Sequence, residues 1–446
     1  MRITNQKKAS CKDNGALDRM KEDYYSLDDL IPFPSFLRRT PMPDSINEIP
    51  SPFAHLWPLD PTVALLNHGS FGACPTAILE AQQRFRMQME AEPVRFMIRE
   101  LPELLDHSRQ TLAELVGADS DNLAFVRNAT FAVNSVLRSI DFKPGDEILT
   151  INQDYNACRN AATFEADRRQ AKLVVAEIPF PIETPEEAID AIVGQITDRT
   201  RLVMLDHVTS PTATVLPVDR IIEICNERGI DTLVDGSHAV GMLPLDLEML
   251  GATYYTSNCH KWLCAPKGSA FLYVRPDRHE TTFPASISHG YNMHCPGRTR
   301  LHDNFDWVGT DDPSSWLCVG VAIDYFRELL GDIAEMGQRN RRLAIEARKL
   351  LCDRLAVPPP CPDSMLGAMA TLPLRADQQP VDFLQPTAAV MIHPLQTALL
   401  EQYGIEIPLF YWPAPQLMIR LSANLYNDLG QYERLAEALI HLKRQV

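Results

Sequence analysis

Two residues between positions 231 and 274 have the types and the setting that covalent chemistry needs. The apolar run DTLVDG delivers Asp235 at its end, and a second run, ATYYTSNC, leads into Asn258, Cys259, His260 and Lys261. A lysine at the end of a buried strand, inside a sheet crevice, has its charged form disfavoured. Its neutral amine is then a nucleophile toward carbonyls. A carboxylate nearby suits a pyridinium nitrogen, the usual electronic arrangement around pyridoxal 5'-phosphate (PLP). Taken singly, Lys261 reads as a solvated surface charge and Asp235 as a turn or cap residue. At this spacing, with the positions described below, the joint reading is the better one.

The surrounding elements are suited to position such a pair. Short apolar runs (DEILTI, KLVVAEI, RLVMLDHV, DTLVDG, ATYYTSNC, SAFLYVRP) alternate with helical stretches around AATFEADRRQA, EEAIDAIVGQI and DRIIEICNERGI. That alternation predicts an α/β fold with a mostly parallel sheet covered on both faces. In such sheets ligands bind at the carboxyl ends of the strands. Residues 1–60 are rich in proline and charge without sustained periodicity, which predicts an extended arm. Residues 61–308 form the expected large domain. Residues 309–446, helical at first and then mixed, form a smaller C-terminal α/β domain.

Composition narrows the function classes. The chain has 446 residues, 45% hydrophobic and 22% charged, with a formal net charge of −16. Such an acidic balance argues against nucleic-acid binding, which needs basic stripes. The ten cysteines include no C-x-x-C pair, so reduced thiols are expected rather than a metal site or a disulfide framework. No long apolar run predicts a membrane span, and no apolar stretch follows the basic N-terminus as a secretory signal would. A cytoplasmic protein is the expectation.

The motif D-G-S-H-A-V-G followed by N-C-H-K-W-L-x-A-P-K-G-S-A-F-L resembles the class V aminotransferase family of PLP fold type I. It is most similar to the isopenicillin N epimerase-like branch, and the likeness runs from about residue 60 to the C-terminus. The resemblance implies a large domain with a seven-stranded-type sheet and PLP as cofactor. It implies that Lys261 bonds covalently to the cofactor aldehyde, Asp235 pairs with the pyridine nitrogen, and His238 lies near the ring's phenolic oxygen. Ala129 and Thr130, opening the helix FAVNSVLRSI, fall at the phosphate-binding turn, where helix N–H groups favour an anion. Tyr155 matches the ring that stacks on the cofactor. Ser210 matches a polar contact to the ring oxygen, and Asn258 and His260 flank the lysine at phosphate-contacting positions. Thr310, in WVGTDDP, matches a threonine that reaches the phosphate of a neighbouring subunit, which implies a homodimer with shared sites. Asn67 and His68 belong to a glycine-bearing loop over the site. Arg420 matches the arginine that binds a substrate α-carboxylate, for which a bidentate fork is better suited than an ammonium.

The implied substrate is a small amino-acid-type molecule, and removal of its Cα proton leaves three outcomes. Reprotonation on the opposite face epimerises, reprotonation at the cofactor C4′ transaminates, and loss of a β-substituent gives C–S lysis. Epimerisation needs a second acid/base opposite Lys261, for which Tyr155 is the candidate. The epimerase-like reading stands first, a cysteine-conjugate or sulfoxide lyase second, then an aminotransferase or a non-catalytic PLP-binding protein. Desulfurase chemistry is disfavoured, because Cys361 lacks the histidine-rich context of a persulfide-forming cysteine.

Overall fold

The computed structural model describes residues 51–374, 392–413 and 416–443. Most of the expected N-terminal arm therefore lies outside the described residues. Strand β1 (Ala64–Leu65) is short; the runs that follow it build one seven-stranded sheet. These are β2 (Leu123–Val126), β3 (Glu147–Ile151), β4 (Lys172–Ala176), β5 (Thr200–Asp206), β6 (Asp231–Asp235), β7 (Tyr254–Ser257) and β8 (Ala270–Val274), in the spatial order β2-β8-β7-β6-β5-β3-β4. All run parallel except β8, which is antiparallel to both its neighbours. The reason is the β7–β8 connection: it carries the lysine turn instead of a crossover helix, so the chain returns antiparallel.

Among helices of nine residues or more, α1 (Thr76–Ala91), α2 (Leu101–Val116), α3 (Ala129–Ser139), α4 (Asn156–Arg169), α5 (Pro185–Val193) and α6 (Val218–Glu227) surround this sheet. The near-continuous apolar character of the strands has a simple cause. Along β5, Leu202 and Met204 enter a core shared with α3 and α4, while Val203 and Leu205 enter the other core, shared with α2 and α6. Alternate side chains point to opposite faces, so a strand covered on both sides is apolar at every position.

Beyond the sheet come α7 (Ser314–Leu330) and α8 (Ala334–Leu355). They precede a three-stranded antiparallel sheet of β9 (Met369–Pro373), β11 (Leu409–Tyr411) and β12 (Leu417–Ser422), in the order β11-β12-β9. Helix α9 (Pro394–Tyr403) leads into β10 (Ile405–Glu406), which pairs in parallel with β1, and α10 (Leu429–Lys443) ends the described chain. Among the described residues no helix is long and apolar enough to cross a membrane. The architecture places β3, β5, β6 and β7 side by side with their carboxyl ends at one edge, where ligands of such sheets bind.

Candidate active site

A cleft of about 460 Å3 opens at that edge, and Lys261 lines it. The lysine follows β7 through a turn closed by its own amide, which donates to the Asn258 carbonyl at 3.2 Å. His68 anchors the turn from beneath: its Nε2 lies 2.9 Å from the Lys261 carbonyl and its Nδ1 lies 2.9 Å from the Tyr426 hydroxyl. A carbonyl only accepts, so Nε2 carries the proton and Nδ1 accepts from Tyr426. Burial holds the His68 pKa down at about 3, which keeps the ring neutral. His68 therefore positions the lysine backbone and does not face the cleft. Asn67 is also outside the lining; its side chain accepts from the Ser70 hydroxyl, and Ser70 and Phe71 are the members of the loop that reach the cleft.

The same loop turns at Gly72, whose φ of +71° is in the left-handed region. A Cβ there would overlap the carbonyl of His260. Gly72→Ala is expected to destabilise the protein by about 3 kcal/mol or more, combining backbone strain with a clash against backbone. Denaturant unfolding measures this, and wild-type stability in the variant would show that the loop does not clamp the lysine turn.

The amine itself sits in a chain of donors. Lys261 Nζ lies 3.3 Å from His238 Nε2, and the Trp262 indole donates to His238 Nδ1 at 3.1 Å. An indole N–H can only donate, so the neutral His238 ring bears its proton on Nε2. Burial, reinforced by the Lys261 charge, holds the His238 pKa well below its ordinary value. Burial also lowers the Lys261 amine from 10.5 to about 8, with Asp235 opposing the shift. A sizeable fraction of the amine is thus neutral near physiological pH.

Asp235 closes β6 and is 3% exposed. Its Oδ1 accepts from the amide of Ser237 at 2.9 Å and from the Ser237 hydroxyl, and its Oδ2 accepts from the Cys158 thiol at 3.2 Å. A second carboxylic side chain, Asp206, ends β5 as the cross-strand partner of Asp235 and also lines the cleft. Asp206 and Cys158 are site residues that the motif-based reading passed over. The signal for Asp206 was present: LVMLD repeats the pattern of LVD in β6, an apolar run closed by aspartate.

At the opposite end of the cleft lies the N-terminus of α3. Its cap, Asn128, accepts from the Phe131 amide at 2.8 Å, and Asn258 Oδ1 accepts from the Ala129 amide at 3.0 Å. The Ala129 N–H is therefore occupied within the protein. Thr130 lines the cleft, and among the described residues its amide and hydroxyl have no partner. His260 Nδ1 lies 2.9 Å from the Ser269 carbonyl, to which it donates, and burial lowers its pKa to about 4. It offers an anion a donor only when Nε2 is protonated as well. Thr310 is exposed and lies outside the cleft of its own chain.

Arg420, on β12, is 6% exposed. Its Nη1 donates to the Ser210 carbonyl at 2.6 Å and its Nη2 to the Ser70 hydroxyl at 3.2 Å. Both acceptors are neutral, both residues line the cleft, and Arg420 Nε is buried without a partner. Burial lowers the Arg420 pKa to about 10, which leaves the guanidinium charged at neutral pH. Among the described residues no carboxylate compensates this cation beside the cleft. Tyr155, 48% exposed, lines the mouth just before α4. No cysteine lines the cleft among the described residues; Cys361 is buried against Arg348, and burial raises its thiol to about 11.

Residues 67–357 match the model of the family Aminotransferase class-V. The chain belongs to the class-V aminotransferase family. As a member of that family it is a PLP-dependent enzyme. It is 34% identical to an isopenicillin N epimerase of Streptomyces clavuligerus, over 85% of this chain and 95% of that one. It is 31% identical to a probable chloroplastic L-cysteine desulfhydrase of Arabidopsis thaliana, over 90% of this chain and 86% of that one. A hercynylcysteine sulfoxide lyase of Schizosaccharomyces pombe is 26% identical over 71% of this class-V chain and 82% of its own length. Among solved structures, a cysteine desulfurase from Thermococcus onnurineus NA1 superposes with a TM-score of 0.72 at 19% identity, covering 90% of this chain and 99% of that one. The cystine C–S lyase C-DES superposes with a TM-score of 0.69 at 22% identity, covering 84% and 97%. Those likenesses establish the fold. The class-V cleft fits its cofactor on its own evidence: an amine of lowered pKa, a buried carboxylate, and an unpartnered threonine at a helix N-terminus.

Proposed function

We propose that the chain acts as a PLP-dependent C–S lyase on an α-amino acid bearing sulfur at Cβ. In this reading Lys261 is the attachment point of the cofactor, Asp235 faces its ring nitrogen, and His238 Nε2–H faces its phenolic oxygen. Thr130 and Asn258 Nδ2 hold its phosphate, and Tyr155 covers its ring. When bound, PLP supplies an electron sink for the bond that breaks at Cα. Arg420 takes the substrate α-carboxylate, with its two bonds to Ser210 and Ser70 setting the plane of the fork. Lys261 Nζ takes the Cα proton, the electrons left at Cα form a Cα=Cβ bond as the Cβ–S bond breaks, and the sulfur leaves as a thiolate that takes up a proton. Water then releases pyruvate and ammonia.

The observation that carries this reading is the supply of bases. Lys261 is the one amine lining the cleft among the described residues. His238 turns Nε2–H to the cleft with Nδ1 taken by the Trp262 indole, burial makes His260 a weak base by lowering its pKa to about 4, and the Tyr155 phenol is held protonated, its pKa raised by burial. Elimination needs a single base; epimerisation that runs both ways needs a second one opposite. Epimerisation is kept as a second reading on one specific ground, the 34% and 35% identity to two isopenicillin N epimerases. Tyr155 would then be the opposing acid. Incubation with S-substituted amino acids in D2O separates these outcomes. Pyruvate, ammonia and a released thiol are expected. Substrate returned with Cα deuterium and inverted configuration would replace the lyase reading with the epimerase one, and pyridoxamine phosphate would indicate transamination.

A homodimer belongs to the same proposal. Val94, Ile98, Tyr291 and Met293 are each more than half exposed, and Ile98 and Met293 line a hollow of about 540 Å3 with Leu101 and Trp307. Exposed apolar surface of this kind marks an association site. A second copy seated there accounts for Thr310, which would then serve the neighbouring cleft. Ile98→Asp is expected to shift the protein from dimer to monomer by light scattering and to weaken cofactor retention. A variant that stays dimeric, or a monomeric wild type, would remove this part of the proposal.

A further inference from the structure

The mechanism above uses one of two carboxyl groups that stand together in the cleft. Asp206 and Asp235 are the last residues of adjacent parallel strands and are direct register partners, so their side chains leave the same face about 5 Å apart. Both are nearly fully buried, at 4% and 3% exposed. Neither forms an ion pair among the described residues. Their hydrogen bonds are unequal. Asp235 accepts from three donors, the Ser237 amide, the Ser237 hydroxyl and the Cys158 thiol. Among the described residues Asp206 accepts only from backbone, the Ser210 amide at a long 3.4 Å and the Tyr155 amide.

Two buried carboxylates this close, with neither in an ion pair among the described residues, do not both ionise; one keeps a proton. Hydrogen bonds stabilise a carboxylate, and the three donors on Asp235 select it as the anion. We propose that Asp206 is a second, proton-bearing carboxyl of the cofactor-ring site, so that the pair presents one negative charge to the ring nitrogen. Asp206 is in this sense a positioning residue: it acts through the charge state of Asp235 and the ring. The inference rests on the assignment of Asp235 to the ring nitrogen.

The groups around Asp206 are consistent with a retained proton. From β6 it faces Asp235. From the β3–α4 turn it faces Asp154, whose charge is already taken by Arg159 at 2.5 Å, and Tyr155. From α4 it faces the Cys158 thiol, and across the cleft the Lys261 amine. Its chain neighbour His207 turns away to the Tyr255 hydroxyl at 2.8 Å. Burial, then Asp235, then Asp154 push the Asp206 pKa well above the usual carboxylate range.

A bound pyridinium beside the pair favours ionised Asp206, so the loaded site loses this proton to solvent at lower pH than the empty one. Linkage then tightens cofactor binding as pH rises between those two ionisations, by up to about tenfold per pH unit. Lys261 and the cofactor titrate in wild type and variant alike; Asp206 pushes the Lys261 amine upward only as a lesser cause, behind burial, Asp235 and Arg420. The test is the dissociation constant of PLP for the full-length protein, by equilibrium dialysis from about pH 5.5 to 9.5, in wild type, Asp206→Asn and Asp235→Ala. The ratio of the Asp206→Asn constant to the wild-type one is expected to stay within about twofold at the acid end and to climb tenfold or more toward the alkaline end. Asp206→Ser, which also lacks a titrating group, is read the same way should the asparagine variant fail to fold. A ratio that is flat with pH, while Asp235→Ala still loses the cofactor, overturns the role of Asp206 alone. Unchanged PLP affinity in Asp235→Ala overturns the ring assignment, and this inference with it.

Discussion

Lys261→Ala is expected to abolish the absorbance of covalently held cofactor and to lower turnover by about a thousandfold or more, the range set by losing a positioned base together with a covalent nucleophile. The expectation follows from the setting of the amine. His68 fixes the backbone carbonyl, His238 meets Nζ at 3.3 Å, and burial brings the pKa to about 8. Because only the neutral amine adds to an aldehyde, attachment of PLP to wild-type protein should accelerate about tenfold per pH unit below about pH 8 and level off above it. Lys267, exposed and bonded to the Gly72 carbonyl at 2.9 Å, serves as control: its alanine variant should keep the covalent absorbance. An unchanged spectrum in Lys261→Ala would transfer the assignment elsewhere.

Arg420→Ala is the second large effect. The guanidinium is buried, charged, and offset by no carboxylate among the described residues, with Nε left unpartnered. An anionic group arriving there supplies the missing charge. Deleting one partner of such a buried pair costs about 3 kcal/mol, or roughly a hundredfold in kcat/KM. The loss should appear as raised KM for amino acids, with PLP affinity changed less than about threefold, since Arg420 donates to the Ser70 hydroxyl and the Ser210 carbonyl and to none of Lys261, Asp235, His238 or Thr130. Arg420→Lys should not restore activity, because an ammonium lacks the planar fork. Equal loss of cofactor and substrate binding would point instead to a structural brace between β12 and the Ser70 and Ser210 loops.

Much of this arrangement was legible because it depends on local pattern. Apolar runs closed by Asp235 and by Asn258 announced buried strands that end at a ligand edge, and the seven-stranded sheet has both there. The orientation of β8 was not legible, since an apolar run reads the same in either direction and only the connection decides. The two- and three-residue strands β1, β10 and β11 are too short to show a period. At the site, residue type alone could not separate Ser70, which reaches the cleft, from His68, which turns beneath the lysine; both lie in one loop, and long-range partners Tyr426 and the Lys261 carbonyl decide. The Asp206–Asp235 pair joins residues 29 positions apart, and only strand register reveals it.

The account stands most directly on which lysine carries the cofactor. Borohydride reduction of the holoenzyme, followed by proteolysis and mass spectrometry, fixes the bond in place and locates it. A single pyridoxyl adduct on the peptide containing Lys261 is the predicted result. An adduct on Lys267 or any other lysine, with Lys261 unmodified, would contradict it.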